Sequence, residues 1–175
     1  MFMQNEYFFL SNMYPCEVTY NGHTFQNSEA AYQAQKDLSR VSEFEGITGK
    51  ESKRLGRHVK MRPDWDSVKL EIMEDILRAK FSNPELAKKL KAVNVPIVEE
   101  TTWHDTYWGV CDGRGQNNLG KILTKIKNDL QKADKKKLER TLESGHSYEE
   151  DVVFNDVEEM MEWWEEDKLY RDEFR

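Results

Sequence analysis

Glu29 and Lys36 stand seven residues apart in the segment NSEAAYQAQK, residues 27–36. On one face of a helix that spacing spans about 10 Å at roughly 1.5 Å per residue, room for a small substrate between a carboxylate and an amine. The carboxylate can serve as acid or base and the amine as counter-charge or nucleophile. A solvated polar face explains the same spacing without any chemistry. A second candidate is the stretch WHDTYWGVCDGRGQNNLG, residues 103–120, where Asp105, Trp108 and the glycines from Gly109 to Gly115 precede a helix start near Asn117. Glycines let backbone amides approach an anion, and the positive end of a helix favours phosphate. The DGRG run matches neither a P-loop nor a dinucleotide fingerprint, so a turn-rich connection is the competing reading. A third is Trp65 beside Arg57, Lys60 and Arg62, able to stack a base and pair a phosphate, or else a core anchor next to a solvated basic loop.

Metal and thiol chemistry find little support. His23, His58, His104 and His146 are scattered without an HExxH pattern, and Cys16 and Cys111 form no CxxC pair. His104 lies seven residues from Cys111, but nothing else in the chain marks that cysteine as a nucleophile. No metal and no cofactor are expected, and the two thiols read as free packing residues.

The elements that must position these groups follow from local signals. Val18 and Tyr20, Asn21-Gly22, then Thr24 and Phe25 predict a short hairpin. Asn27 or Ser28 caps a helix expected through Leu38, with Glu29, Gln33 and Lys36 along one face. A helix beginning near Asp66 carries the apolar stripe Val68, Ile72, Met73, Ile76 and Leu77. Asn83-Pro84 stops it and opens another helix, with Leu86 and Leu90 inward. A short strand is expected at Pro96–Glu99, then the aromatic loop. A last helix follows, with Leu119, Ile122, Leu123, Ile126 and Leu130 on one side and lysines on the other.

The chain of 175 residues fits one domain plus an appendage. Its net charge of −7 is uneven: residues 1–144 hold 23 Lys and Arg against 21 Asp and Glu, whereas residues 145–175 hold 3 against 12. The body is near neutral and can still hold a basic phosphate site, so the overall acidity does not exclude an anionic ligand. A boundary is set at 144, with an acidic, helical extension over 145–175 that carries Trp163 and Trp164. That extension is expected to bind a protein partner or fold back on the basic helix. Apolar runs fall far short of the roughly 20 residues of a membrane span, and the start lacks a basic n-region, so a soluble cytoplasmic protein without membrane contact is expected.

Taken together, FLSN at 9–12, NSEAAYQAQK at 27–36, LGR at 55–57, WDSVKLEIMEDILRAKFSNPEL at 65–86 and DTYWGVCDGRGQNNLGKIL at 105–123 resemble the NADAR (NAD- and ADP-ribose-associated) family. The likeness covers about residues 7–133. It implies a compact, helix-rich α+β domain with a few short strands, and an enzyme that breaks a bond from ribose C1 to nitrogen. The family includes N-glycosidases acting on riboflavin-pathway ribosylaminopyrimidine phosphates and enzymes that remove ADP-ribose from guanine in nucleic acid. A phosphorylated ribosyl or ADP-ribosyl small molecule, or an ADP-ribosylated nucleic acid, is therefore the expected ligand. Glu29 matches the family's catalytic glutamate, Lys36 the lysine closing its A-Q-K motif, Trp65 its helix-start tryptophan, and Asp105 and Trp108 the residues of its Y-W-G element. Ala30-Ala31-Tyr32 departs from the usual H-Y-F, and Asn118 stands where a basic residue is common, which bears on substrate preference more than on bond type.

Hydrolysis of such a bond passes through a ribosyl cation and needs a carboxylate near C1, a proton for the leaving nitrogen and a positioned water. Glu29, Asp105 and Lys36 are the expected catalytic residues. Trp65, Trp108, Asn12, Arg57, Gly109, Arg114 and Asn117 are expected to bind substrate. Lys36 and Arg57 either hold a phosphate or tune Glu29, and an amine attack by Lys36 on an opened ribose is the variant. A module that binds ADP-ribose or NAD without cleaving it is the non-catalytic alternative, and a nucleic-acid binder using the lysines of residues 121–137 is a third.

Overall fold

A computed structural model of the chain describes residues 5–102 and 104–143. The Asn21-Gly22 turn is built with positive φ at both positions, 50° and 80°, the conformation that matches the twist of a tight hairpin. It joins β1 (Val18–Tyr20) to β2 (His23–Phe25), with Val18 opposite Phe25 and Tyr20 opposite His23. Val18 and Phe25 point into the core while Thr19 and Thr24 face solvent and share a hydroxyl bond of 3.1 Å. Ahead of the hairpin, Asn5–Leu10 forms a 3-10 helix.

Helix α1 (Ser28–Ala34) is capped by Asn27, whose side chain accepts from Ala30 N at 2.8 Å. It is shorter than the pattern suggests. The amides of Gln35, Lys36 and Asp37 bond three residues back, tightening the end. Asp37 then accepts from the Ser39 amide and hydroxyl and starts a new 3-10 segment over Leu38–Phe44. Helix α2 (Gly49–Leu55), absent from the expectation above, opens on a reciprocal capping box between Thr48 and Glu51. Helix α3 (Trp65–Lys80) buries Ile72, Met73, Ile76 and Leu77, with Val68 partly buried at the margin. Helix α4 (Pro84–Lys91) starts as anticipated, with Asn83 accepting from Glu85 N and Leu86 N.

The expected strand at Pro96–Glu99 is replaced by irregular chain and one parallel bridge between Glu100 and Val110. The reason is local. Asn117, at φ 50°, donates from Nδ2 to Ile97 O at 2.9 Å and accepts at Oδ1 from Glu99 N at 3.0 Å, so its side chain supplies the partners a neighbouring strand would have offered. Helix α5 (Asn118–Glu143) follows, with Leu119, Ile122, Leu123 and Ile126 buried and Leu130 partly buried. Arg78 to Asp129 (2.7 Å) and Lys125 to Glu74 (2.7 Å) tie α5 to α3 at the surface.

This is an α+β, helix-rich fold with one small antiparallel sheet among the described residues. The chain divides into units 1–131 and 132–175. The second is described only where α5 continues to Glu143, so the expected boundary at 144 and the acidic extension lie outside the described residues. Among the described residues no helix is long and apolar enough to cross a membrane.

Candidate functional site

Glu29 occupies the first turn of α1, and its amide is taken by the Asn12 carbonyl at 3.0 Å, which locks the segment before the hairpin onto the helix start. The side chain turns inward and is only 8 % exposed. One helical turn on, Gln33 donates from Nε2 to Glu29 Oε1 at 2.8 Å. Gly56, at the end of α2, lies against Gln33: a Cβ there would stand 2.8 Å from Gln33 Cδ and would displace that side chain from its bond to Glu29. Burial pushes the Glu29 carboxyl above its usual range, the Gln33 bond and the Lys53 and Lys36 charges pull it back, and Asp105 adds to the rise.

Tyr32, one turn on and within the field of Glu29, belongs to an aromatic cluster. Tyr32 lies 5.0 Å from Trp65 and meets Trp108 edge-on at 5.5 Å, and Trp108 in turn meets Tyr107 edge-on at 5.1 Å. Trp65 is 6 % exposed and belongs to the core, whereas Trp108 is only partly buried. Burial, with Glu29 beside it, pushes the Tyr32 phenol up and keeps it neutral. Lys36 is half-buried past the end of α1, with Nζ 5.8 Å from the centre of the Trp65 ring. Burial lowers its ammonium, Glu29 opposes, and Lys53 and Arg57 add to the fall. Four of the expected residues, Glu29, Lys36, Trp65 and Arg57, thus converge from α1, the end of α2 and the start of α3.

Asp105 comes from the long connection before α5. Its Oδ1 accepts from Tyr107 N at 3.0 Å and Trp108 N at 2.9 Å, and its carbonyl accepts from Thr101 Oγ1 at 3.1 Å. The carboxylate therefore both shapes the turn that presents Trp108 and is felt by Glu29. Glu99, which the sequence pattern did not single out, lies in the same field. Burial pushes its carboxyl up to about 7, the chain's amino terminus and Lys53 oppose, and Asp105 and Glu29 push the same way as burial. Among the described residues its Oε2 has no hydrogen-bond partner although it is enclosed. Lys53 also escaped notice because it sits on α2, whose start is signalled only by the Thr48–Glu51 spacing.

The remaining expected binders are placed differently. Asn12 turns its Nδ2 to Met73 Sδ at 3.5 Å, leaving Oδ1 buried and unpartnered among the described residues. Gly109 is buried against Glu99 and Thr101. Asn117 spends both side-chain groups on the backbone of residues 97 and 99. Arg114 is exposed on the tight Cys111–Arg114 turn. Among the described residues no three His, Cys, Asp or Glu side chains converge closely enough to hold a metal ion.

A buried carboxylate within the field of two lysines, next to an aromatic cluster, thus stands on a small helix-rich α+β scaffold. The chain belongs to the NADAR domain family, whose profile matches residues 1–131. It is 38 % identical over 130 residues to riboflavin biosynthesis protein VVA0006 of Vibrio vulnificus, a match covering 70 % of this chain but 35 % of that protein. It is 33 % identical over 133 residues to N-glycosidase YbiA of Escherichia coli, covering 72 % of this chain and 83 % of the relative. The NMR structure of E. coli YbiA superposes with a TM-score of 0.64 at 28 % identity, over 84 % of this chain and 86 % of that one.

Proposed function

We propose that this protein is an N-glycosidase that hydrolyses the bond between ribose C1 and nitrogen in a phosphorylated ribosyl substrate of the ribosylaminopyrimidine class. The observation that carries the reading is Glu29: a buried carboxylate held by Gln33, within the field of Asp105 and Lys36, and beside Tyr32, whose ring packs on Trp108. The names of the two relatives, an N-glycosidase and a riboflavin biosynthesis protein, support the bond type and the substrate class respectively.

Bond cleavage leaves positive charge on the ribose, and a carboxylate in a poorly solvated site stabilises that charge far more than water does. Glu29 faces C1, stabilises the cation and accepts the proton of the attacking water. Asp105, whose Oδ1 is committed to two backbone amides, uses its other oxygen to orient that water or a ribose hydroxyl. Trp108, the more open of the two tryptophans, receives the base, and Trp65 holds the wall behind Tyr32. Lys36 and Arg57 supply the positive charge that a phosphate requires, and Lys36 moderates Glu29.

The test is chromatography of products after mixing wild type and Glu29→Ala with a ribosylaminouracil phosphate and with guanine-ADP-ribosylated DNA. Free base from the first substrate with wild type alone is the expected result, with the variant slower by about 10² to 10⁴. Cleavage of the DNA adduct instead moves the substrate to nucleic acid. Cleavage of neither, with tight ADP-ribose binding, replaces the enzyme with a binding module. A folded and fully active Glu29→Ala removes the assignment of Glu29.

A further inference from the structure

Three carboxyl groups share one electrostatic neighbourhood, and they differ in how many hydrogen-bond donors each receives. Asp105 Oδ1 accepts two backbone amides, and Glu29 Oε1 accepts the Gln33 amide at 2.8 Å. Glu99 Oε2 is enclosed and receives none among the described residues. Like charges in a poorly hydrated site cannot all be ionised cheaply, and Glu99 is the carboxyl whose enclosed oxygen has no donor among the described residues to hold a charge.

Its placement is firm. The Glu99 amide donates to Asn117 Oδ1 at 3.0 Å, and its carbonyl accepts from Val110 N at 2.7 Å. Its side chain crosses the open face of Gly109, where a Cβ would lie 3.0 Å from Glu99 Cγ. Gly109 follows Trp108 directly, so Glu99 is clamped onto the turn that Asp105 and Trp108 build. The charges it feels are those of the chain's amino terminus, Asp105, Lys53 and Glu29. A buried carboxyl oxygen without a partner is a group waiting for one, and the ligand is the natural candidate.

We propose that Glu99 is a further catalytic residue of this site, the acid that protonates the departing nitrogen. The inference rests on the N-glycosidase reading above. As the C1–N bond breaks, its electron pair goes to nitrogen and the Glu99 O–H proton is transferred there. Water adds its oxygen to C1 and gives a proton to Glu29, and exchange through solvent returns that proton to Glu99. The sum is one water consumed, one ribose hydroxyl formed and one N–H formed. Two carboxyls flanking the bond thereby take the opposite proton states that hydrolysis needs. Burial and Asp105 keep Glu99 protonated up to about pH 7, which matches this role.

The test compares two leaving groups in wild type, Glu99→Gln and Glu99→Asp, with thermal melts of each. One substrate is a ribosylaminopyrimidine phosphate, whose nitrogen must gain a proton. The other is a ribosyl pyridinium phosphate, whose base departs neutral and needs none. Glu99→Gln is expected to lose about 10² to 10⁴ in kcat on the first and almost nothing on the second, and to lose the alkaline fall of the wild-type rate. Glu99→Asp, which keeps the acid on a shorter arm, is expected to retain part of the rate and that alkaline fall. Equal losses on both substrates, or none on either, overturn the proposal while the glycosidase reading stands. Failure of wild type to cleave either substrate overturns both.

Discussion

Raising the pH should strengthen this fold through a single lysine, and the structure sets the size of the effect. Lys80 closes α3 with 1 % of its surface exposed. Its Nζ donates to the Ser11 carbonyl at 2.8 Å and lies 5.5 Å and 5.2 Å from the Tyr14 and Phe81 rings. Burial pushes the ammonium from 10.5 down to about 8, with Cys16 opposing. At 1.36 kcal/mol per pH unit that gap corresponds to roughly 3 kcal/mol. Below about 8 both native and unfolded chains hold the proton and the whole penalty is present. Between about 8 and 10.5 only the unfolded chain still binds it, so stability climbs with pH, and above 10.5 the climb ends. Lys80→Met lacks this dependence. It removes one of the two donors to the Ser11 carbonyl, which keeps the Tyr14 amide at 3.1 Å, so at neutral pH it starts above wild type. Urea unfolding of both proteins across that range should show wild type gaining roughly 3 kcal/mol on the variant, with equal m-values. Parallel profiles would refute the reasoning. The contact also matters beyond stability, because Ser11 precedes the Asn12 whose carbonyl holds the Glu29 amide.

Three further outcomes probe the site. Gln33→Leu keeps the volume but removes the donor to Glu29, and should raise the barrier to kcat by roughly the 1.5 to 3 kcal/mol of a hydrogen bond to a charged group, with a melting temperature at or below that of wild type. Trp65→Ala should cost about 3 to 5 kcal/mol in chemical denaturation, because that ring is packed in the core; an unchanged stability with weakened ligand binding would instead make it a stacking surface. Asp105→Asn retains an oxygen that can accept from Tyr107 N and Trp108 N, so circular dichroism and thermal melts should match wild type while turnover drops. An Asp105→Asn variant with full activity would confine Asp105 to shaping the turn.

Local chemistry was legible where a few adjacent residues decide it. Asn21-Gly22 admits the positive φ of the hairpin, Asn83-Pro84 caps and pre-sets α4, and the spacing of Ile72, Met73, Ile76 and Leu77 defines the buried face of α3. Glu29 and Gln33 meet because i and i+4 share a helix face, which their spacing already states. Errors arose where a side chain competes with the backbone pattern. Asp37 captures Ser39 and ends the run that α1 had begun, and Asn117 replaces the strand partner of residues 97–99 from far along the chain. Glu99 and Lys53 are hidden for a different reason. Glu99 has no diagnostic neighbour in sequence, Lys53 has only the Thr48–Glu51 spacing that opens α2, and each reaches the site through tertiary packing.

The long connection before α5 shows why a loop can carry chemistry as firmly as a strand does. A glycine-rich run before a helix invites the reading that bare backbone amides cradle a phosphate, yet the space around Gly109 and Gly115 is already filled by protein. Gly109 admits the Glu99 side chain and Thr101, where a Cβ would meet Thr101 Cγ2 at 2.7 Å. Gly115, at φ 149°, lets the returning chain touch residues 109 and 110, with a Cβ only 2.9 Å from Val110 Cα. Asp105 then fixes the turn before Gly109, and Asn117 fixes the chain on either side of Val98, at Ile97 and Glu99, so the segment is tied at both ends and across its middle. Two acids and a tryptophan are thereby held on one tied segment, which suits the proposed acid–base catalysis by groups that must meet a substrate within hydrogen-bond reach. The glycines permit close packing of the carboxyl groups' own backbone, and on the proposed reading the positive charge for a phosphate comes from side chains such as Lys36, Lys53 and Arg57.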